Sequence, residues 1–315
     1  MPLSLTAAAD DNGRRLDRIL RKALRTLPLS AIHRLLRQGC VCVDGKTAQA
    51  SRRVLSGETI TVTDAAIDTL LPREGELPHQ CAEKPEILFE GAGLLILNKA
   101  AGVAVHGEGN SLERQVCAYL MPKLPPSLSF KPGPLHRIDQ PSSGLVAFSA
   151  SLEGARFFSG LIRERRVKKF YLTLACGKIE KNETWQDDLS RDRNLQKTFT
   201  SSPEGGKEAV TRITPLAHND FCTLLLAEIE TGRTHQIRAQ AAAHGHPLLA
   251  DRKYEGRSLP KNGALLLHAW RLEFPADTPL PRVIEAPLPA GFSSTIRRLF
   301  GEKPFLTLTN YASMI

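Results

Sequence analysis

The chain has 315 residues, 42% hydrophobic and 24% charged, the balance of a folded protein long enough for more than one core. It contains no run of about eighteen uncharged apolar residues, so no membrane span is predicted. Net charge is +9 and unevenly placed. Residues 1–63 hold eleven Lys/Arg against five Asp/Glu, a basic module suited to a polyanion, nucleic acid before membrane. The start, MPLSLTAAADD, lacks a basic segment followed by an apolar block, so no secretory signal is expected. The six cysteines (40, 42, 81, 117, 176 and 222) include no CxxC pair. They read as reduced, buried thiols rather than a metal site, and the expected compartment is the cytoplasm.

A helix is predicted from Leu16, with apolar residues at 16, 19, 20, 23, 24 and 27 on one stripe. Pro28-Leu29-Ser30 ends it and caps a second helix. That helix turns Ile32, Leu35 and Leu36 inward, shows Arg34 and Arg37 outward, and stops at Gly39. A strand at Val41–Val43, an Asp44-Gly45 turn and the alternating Ile60-Thr61-Val62 complete a small α/β unit over residues 14–63. The segments RLDRILRKAL, SAIHRLLRQGCVCVDGK and SGETITV resemble the S-four-type RNA-binding domain. That resemblance implies phosphate contacts from displayed cations, here Arg18, Arg34 and Arg37. Gly39 to Thr47 imitates a phosphate-binding loop but is one residue too long, so it is set aside.

Residues 64–86, with three prolines and mixed charge, read as an interdomain linker. A second domain over 87–290 opens with Ile87-Leu88-Phe89 and a buried strand, Leu94 to Leu97. Gly91 and Gly93 precede that strand, whereas a dinucleotide loop follows one, so a Rossmann reading fails. A short helix is expected over 111–121, then a long flexible, proline-rich connection over 122–134. Next comes HRIDQPSSG, His136 to Gly144, leading into the strand Leu145–Phe148. A helix over 151–166 ends in Arg163, Arg165, Arg166, Lys168 and Lys169. A helix C-terminus favours cations by about 0.3–1 kcal/mol each. Five in seven residues exceed that need, and Arg165, Arg166 and Lys168 are read as phosphate contacts. A strand at Phe170–Ala175 carries Tyr171, and residues 190–207 read as a mobile basic loop. Strands at 209–213 and 222–229 run into TGRTHQIR (231–238), with a helix continuing to Ala243. His244 and His246 lack a third ligand and read as a turn. A late strand covers 265–272, and residues 291–315 are expected to be a partly ordered tail.

Three polar segments stand where strands end: HRIDQPSSG, KKFYL and TGRTHQIR. Together they suggest one pocket. Asp139 is its candidate reactive carboxylate, although a lone aspartate before Pro-Ser-Ser also serves as a turn cap, and the spacing leaves both open.

Here the chain resembles the RluA-type pseudouridine synthases. HRIDQPSSG is similar to that family's HRLDRDTSG, LNKAAGVAVH to its NKPAGLVVH, and VKKFYLTLACG to its K-x-Y-L strand. GKEAVTRITPL, TGRTHQIR, GHPLLADRKYEG, LLLHAWRLEF and EAPLP follow in the family's order. The resemblance implies an α+β catalytic domain on a mixed, largely antiparallel sheet. It also implies isomerisation of uridine in RNA to pseudouridine with no cofactor and no metal, by a monomer acting on large-subunit ribosomal RNA. Asp139 matches the family's catalytic aspartate, which either attacks the sugar or removes its neighbouring proton. Arg233 matches the arginine expected to hold it charged, since a guanidinium within salt-bridge reach favours the ionised form. Tyr171 matches the tyrosine that stacks on uracil. Arg137 matches the arginine that enters the space of the flipped base, and the adjacent His136 reads either as a supporting RNA contact or as a satisfied turn histidine. Ile237 and Leu267 are expected to wall the pocket. Gln140-Pro141-Ser142 departs from the family's Arg-Asp-Thr, and Ala100 replaces its proline. A different class therefore stays open, an RNA-binding or ribosome-assembly factor that keeps the fold but is catalytically silent. A methyltransferase would need a glycine-rich nucleoside loop after a strand, which the sequence lacks.

Overall fold

The computed structural model describes residues 2–24, 27–63, 83–107, 109–125, 127–192, 194–200, 205–258 and 264–313. Most of the predicted linker, residues 64–82, lies outside them.

The N-terminal module is built from strands β1 (Leu3–Thr6) and β2 (Arg14–Arg15), helices α1 (Leu16–Ala23) and α2 (Leu29–Arg37), and strands β3 (Val41–Val43), β4 (Lys46–Thr47), β5 (Arg53–Val54) and β6 (Thr59–Val62). Its sheet runs β1-β6-β3-β4, with β2 and β5 paired apart. The stripe Leu16, Ile19, Leu20 packs with Ile32, Leu35 and Leu36 onto Val41, Val43, Ile60 and Val62. Asp44 and Gly45 both have positive φ, 47° and 74°, the mirror-image turn that a two-residue hairpin needs. Two details differ from the sequence reading. The sheet begins at Leu3, upstream of residue 14, because four residues of alternation are too few to read as a strand. Ser30 lies inside α2, which opens after Pro28 with no side-chain cap.

The second body comprises β7 (Glu86–Gly91), β8 (Leu94–Lys99), α3 (Leu112–Leu120), β9 (Ser143–Ser149), α4 (Leu152–Arg163), β10 (Lys168–Cys176), β11 (Glu183–Asp192), β12 (Lys197–Thr200), β13 (Lys207–His218), β14 (Cys222–Ile229), α5 (Gln236–Ala243), β15 (Leu267–Glu273), β16 (Val283–Glu285), α6 (Ala290–Phe300) and α7 (Lys303–Ser313). The strand order is β12-β11-β13-β14-β10-β15-β9-β8-β7, with β16 on the far part of β15. Neighbours are antiparallel except β9 and β15, which run parallel. This is the expected α+β arrangement on a mixed, mostly antiparallel sheet. The central strands bury both faces, as the period of two requires. Tyr171, Ala227, Leu267 and Ala269 point to one core. Phe170, Leu172, Leu226 and Trp270 point to the other.

Three further expectations are corrected. Residues 291–313 are no loose tail. Phe292 and Ile296 are 1% and 0% exposed, and α6 and α7 cover the back of the sheet. Burying each of those side chains contributes roughly 1.5–3 kcal/mol. Much of the supposed mobile loop over 190–207 is the hairpin of β11 and β12. The proline-rich connection is tied down. Leu128 N–H donates to Asp11 Oδ2 (3.1 Å), Arg14 Nη1 donates to Ser129 Oγ (2.8 Å), and Leu128 packs against the N-terminal core. Among the described residues, no helix is long and apolar enough to cross a membrane.

Candidate active site

The loop from His136 to Ser142 runs into β9. Its turn is closed by Ser142 N–H donating to the Asp139 carbonyl (3.0 Å). Lys99, only 1% exposed, holds this loop to the end of β8. Its ammonium donates to the carbonyls of Ala100 (2.9 Å), Val103 (2.8 Å) and Gln140 (3.1 Å), and burial brings its pKa down to about 8. Gln140 adds a second stitch, donating from Nε2 to Gly102 O (3.0 Å). Gly144 closes the segment at φ 106°. A Cβ there would collide with the Ala269 carbonyl of the parallel strand, so only glycine fits. Beside it, Ser143 Oγ bonds His268 Nδ1 at 2.8 Å.

Asp139 Oδ2 accepts from a guanidinium, but not from the one expected. Arg238 Nη1 lies 2.9 Å away, while Arg233 Nε donates to the Glu208 carbonyl (2.9 Å) and Arg233 is exposed. TGRTHQIR contains two arginines, and the backbone chooses between them. His235 takes a left-handed conformation (φ 54°) that turns the chain into α5. Arg233 is thereby left on the loop, and Arg238 is brought inside the first turns of a helix whose residues 236–241 are all buried. Arg238 also holds Asp251 through two bonds, Nε to Oδ2 (2.7 Å) and Nη2 to Oδ1 (2.8 Å). Burial opposes its charge. The two carboxylates, Asp251 first, outweigh that and hold the guanidinium above its ordinary pKa. The Tyr254 ring lies 5.2 Å beneath the guanidinium, and Tyr254 Oη pairs with His235 Nδ1 (2.9 Å). Asp251, in GHPLLADRKYEG, was the sequence signal for Arg238: a guanidinium in a helix of small residues needs an acid.

These groups open on a cavity of about 690 Å³, ample for a nucleoside. Asp139, Tyr171, His136, Arg137, Arg165, Arg233, Ile237 and Leu267 all line it, as do the unanticipated Arg238, His235 and Lys169. Tyr171 is 8% exposed; burial first, and then the charge of Asp139, raise its phenol so that it stays protonated. Arg137 is exposed, with Nη1 3.3 Å from His106 Nε2. His136 is a different matter. Its Nε2 accepts from Ala147 N–H (3.1 Å), and its ring stacks on Phe158 at 6.0 Å. Burial, aided by Lys169, pushes its pKa down to about 4. The ring is thus a neutral prop for the loop, as a satisfied turn histidine would be, and it lines the cavity as well. Arg166 and Lys168 do not line the cavity, and Arg166 pairs with Asp277 (2.5 Å). Arg18, Arg34 and Arg37 are exposed on α1 and α2, in the N-terminal module. His244 stacks on Trp185, and His246 Nδ1 bonds the Cys176 carbonyl (2.9 Å), as turn residues would.

Residues 93–243, which hold all but Leu267 of the residues expected to form this site, match the family described as RNA pseudouridylate synthase. A ribosomal large subunit pseudouridine synthase D from Nitrosomonas europaea is 34% identical over 284 residues, covering 86% of this chain and 80% of that one. The chain belongs to the RNA pseudouridylate synthases. Ribosomal large subunit pseudouridine synthase C of Escherichia coli K12 is 31% identical, covering 92% of this synthase and 94% of that one. Residues 14–60 match the S4 domain, the RNA-binding module read from the sequence. Among solved structures, Human RNA Pseudouridylate Synthase Domain Containing 4 shares the fold, with a TM-score of 0.56 at 20% identity. It covers 68% of this synthase and 92% of that chain.

Proposed function

We propose that this synthase isomerises uridine in large-subunit ribosomal RNA, with Asp139 as the reacting carboxylate. The reaction breaks the bond from ribose C1′ to uracil N1 and makes one from C1′ to C5. C5 gives up its proton to solvent and N1 ends with one. The observation that carries the reading is the pairing of Asp139 with Arg238 at the cavity. Oδ2 is anchored, while Oδ1 has no hydrogen-bond partner among the described residues, so one oxygen stays available to the sugar. Tyr171 lines the same cavity as the flat surface on which the uracil turns over. Arg137, exposed at the mouth, takes the place of the base that leaves its stack, which offsets part of an unstacking cost of a few kcal/mol. Arg18, Arg34 and Arg37 dock RNA away from the cavity, on the basic module. The choice of ribosomal RNA rests on the names of the relatives.

The departure at Gln140 does not disturb the carboxylate. Its side chain is spent on the Gly102 carbonyl, within the loop that Lys99 holds. The test is Asp139→Asn in a strain lacking the wild-type gene. Carbodiimide primer extension on large-subunit RNA should lose its pseudouridine stops. In vitro, tritium release from uridine labelled at C5 should fall by at least a thousandfold. Stops that persist in the strain carrying the variant would defeat the proposal.

A further inference from the structure

Lys169 stands two residues before Tyr171 on β10, so the alternation of the strand turns both side chains to the cavity. Its ammonium is half-buried and has no hydrogen bond or ion pair among the described residues. The other buried cations of the site are all provided for. Lys99 has three carbonyls and Arg238 has two carboxylates. Lys169 instead shares the cavity lining with Arg165, and burial first, then the charge of Arg165, lower its pKa.

Arg165 is itself held against its preference. At the end of α4, Arg166 N–H donates to Leu161 O (2.9 Å) and Arg165 N–H to Ile162 O (3.1 Å). This is the helix-ending arrangement whose left-handed position glycine usually fills, yet Arg165 occupies it at φ 56°. One corner of the cavity lining therefore combines an exposed arginine in a left-handed conformation with a lysine that has no hydrogen bond or ion pair among the described residues. A glycine at position 165 or an apolar residue at position 169 would relieve each. Both make sense if an anion completes the corner.

We propose that Lys169 and Arg165 seat the phosphodiester of the target nucleotide, fixing its backbone while the sugar faces Asp139 and the base lies against Tyr171. The inference rests on the reading of the cavity as a uridine site. It makes Lys169 and Arg165 binding residues that trade stability of the free protein for grip on RNA.

The test uses full-length protein and large-subunit RNA transcribed in vitro with C5-tritiated uridine. Lys169→Met and Arg165→Gly should each raise KM roughly tenfold or more, the worth of a charge-assisted contact, with kcat within about threefold. The dependence of log affinity on log salt should lose about 0.7–0.9 per cation removed. Lys169→Arg should restore most of both. The melting temperature of the free variants should equal or exceed that of the wild type, which a merely structural role would not allow. Unchanged KM and salt slope would overturn the proposal, even if inorganic phosphate raised the melting temperature of the wild type. Filter binding of the same variants in an Asp139→Asn background keeps the two readings apart. Absent tritium release by the wild type would sink the uridine assignment, whereas unchanged RNA affinity on altering residue 169 would sink the phosphate seat.

Discussion

Arg238 is the residue on which the acid of the site depends, and its removal would be felt twice. It is 7% exposed and stands between Asp139 and Asp251, the latter 1% exposed. Taking away one member of such a buried group leaves uncompensated charge, at about 3–5 kcal/mol. We expect Arg238→Met to lower the urea midpoint accordingly and to abolish tritium release. Arg233→Ala, on an exposed loop, should change stability by less than about 0.5 kcal/mol. Equal losses of folding stability in the two variants would show that the wrong arginine has been paired with Asp139. The distinction was not legible in TGRTHQIR, where both arginines have the right chemistry. It is made by a single backbone angle at His235, and by an acid thirteen residues beyond Arg238 that binds its other edge. By contrast Asp139, Tyr171, Ile237 and Leu267 line the cavity as the family's motifs implied, although period and punctuation alone left Asp139 open to a turn cap and the other three to the core.

The joint between β9 and β15 shows how elements hold the loop still. These are the parallel neighbours in the sheet, meeting at Ser143–His268 and Gly144–Ala269. Ser143 Oγ, His268 and the Ala286 carbonyl (3.3 Å) form a buried tie beneath the carboxylate loop. Burial pushes the pKa of His268 down to about 4, and that of His136 likewise. An unfolded histidine takes its proton near 6.5. Between pH 6.5 and 4 the unfolded chain therefore binds protons that the folded chain refuses, and stability falls as pH falls. Each ring contributes up to about 1.4 kcal/mol per pH unit over that range. Urea midpoints measured from pH 7 to 4.5 should decline, and His268→Asn should flatten the decline by about half. An identical profile in the variant would mean that His268 titrates as an exposed ring does. Sequence showed the strands of this joint but not their parallel pairing, since the partners lie 125 residues apart. The C-terminal helices were missed for a related reason. Phe292, Ile296, Leu299 and Phe300 recur at helical spacing, but only the back of the sheet reveals what they cover.

At the scale of the whole molecule, the N-terminal module and the catalytic body have separate cores and meet along the chain that feeds the active-site loop. Asp11, fully buried, accepts from Ala8 N–H (2.9 Å) and from Leu128 N–H through the same oxygen, and Arg14 reaches Ser129. Residues 128 and 129 lie shortly before His136, so the module grips the segment that leads to Asp139 without touching the cavity. If that grip only orients a basic module toward RNA, loosening it should spare the chemistry. Asp11→Ala removes the acceptor that both backbone N–H groups share, at about 1–3 kcal/mol for a buried donor left unpaired. It leaves every Lys and Arg in place. The expected result is a raised KM on full-length large-subunit RNA with kcat unchanged, and a salt slope equal to that of the wild type, since no phosphate contact is deleted. Deleting the cations Arg34 and Arg37 should instead reduce the slope. A fall in kcat for Asp11→Ala, with KM constant, would mean that the module acts on the carboxylate loop through residues 128–135 rather than on the RNA.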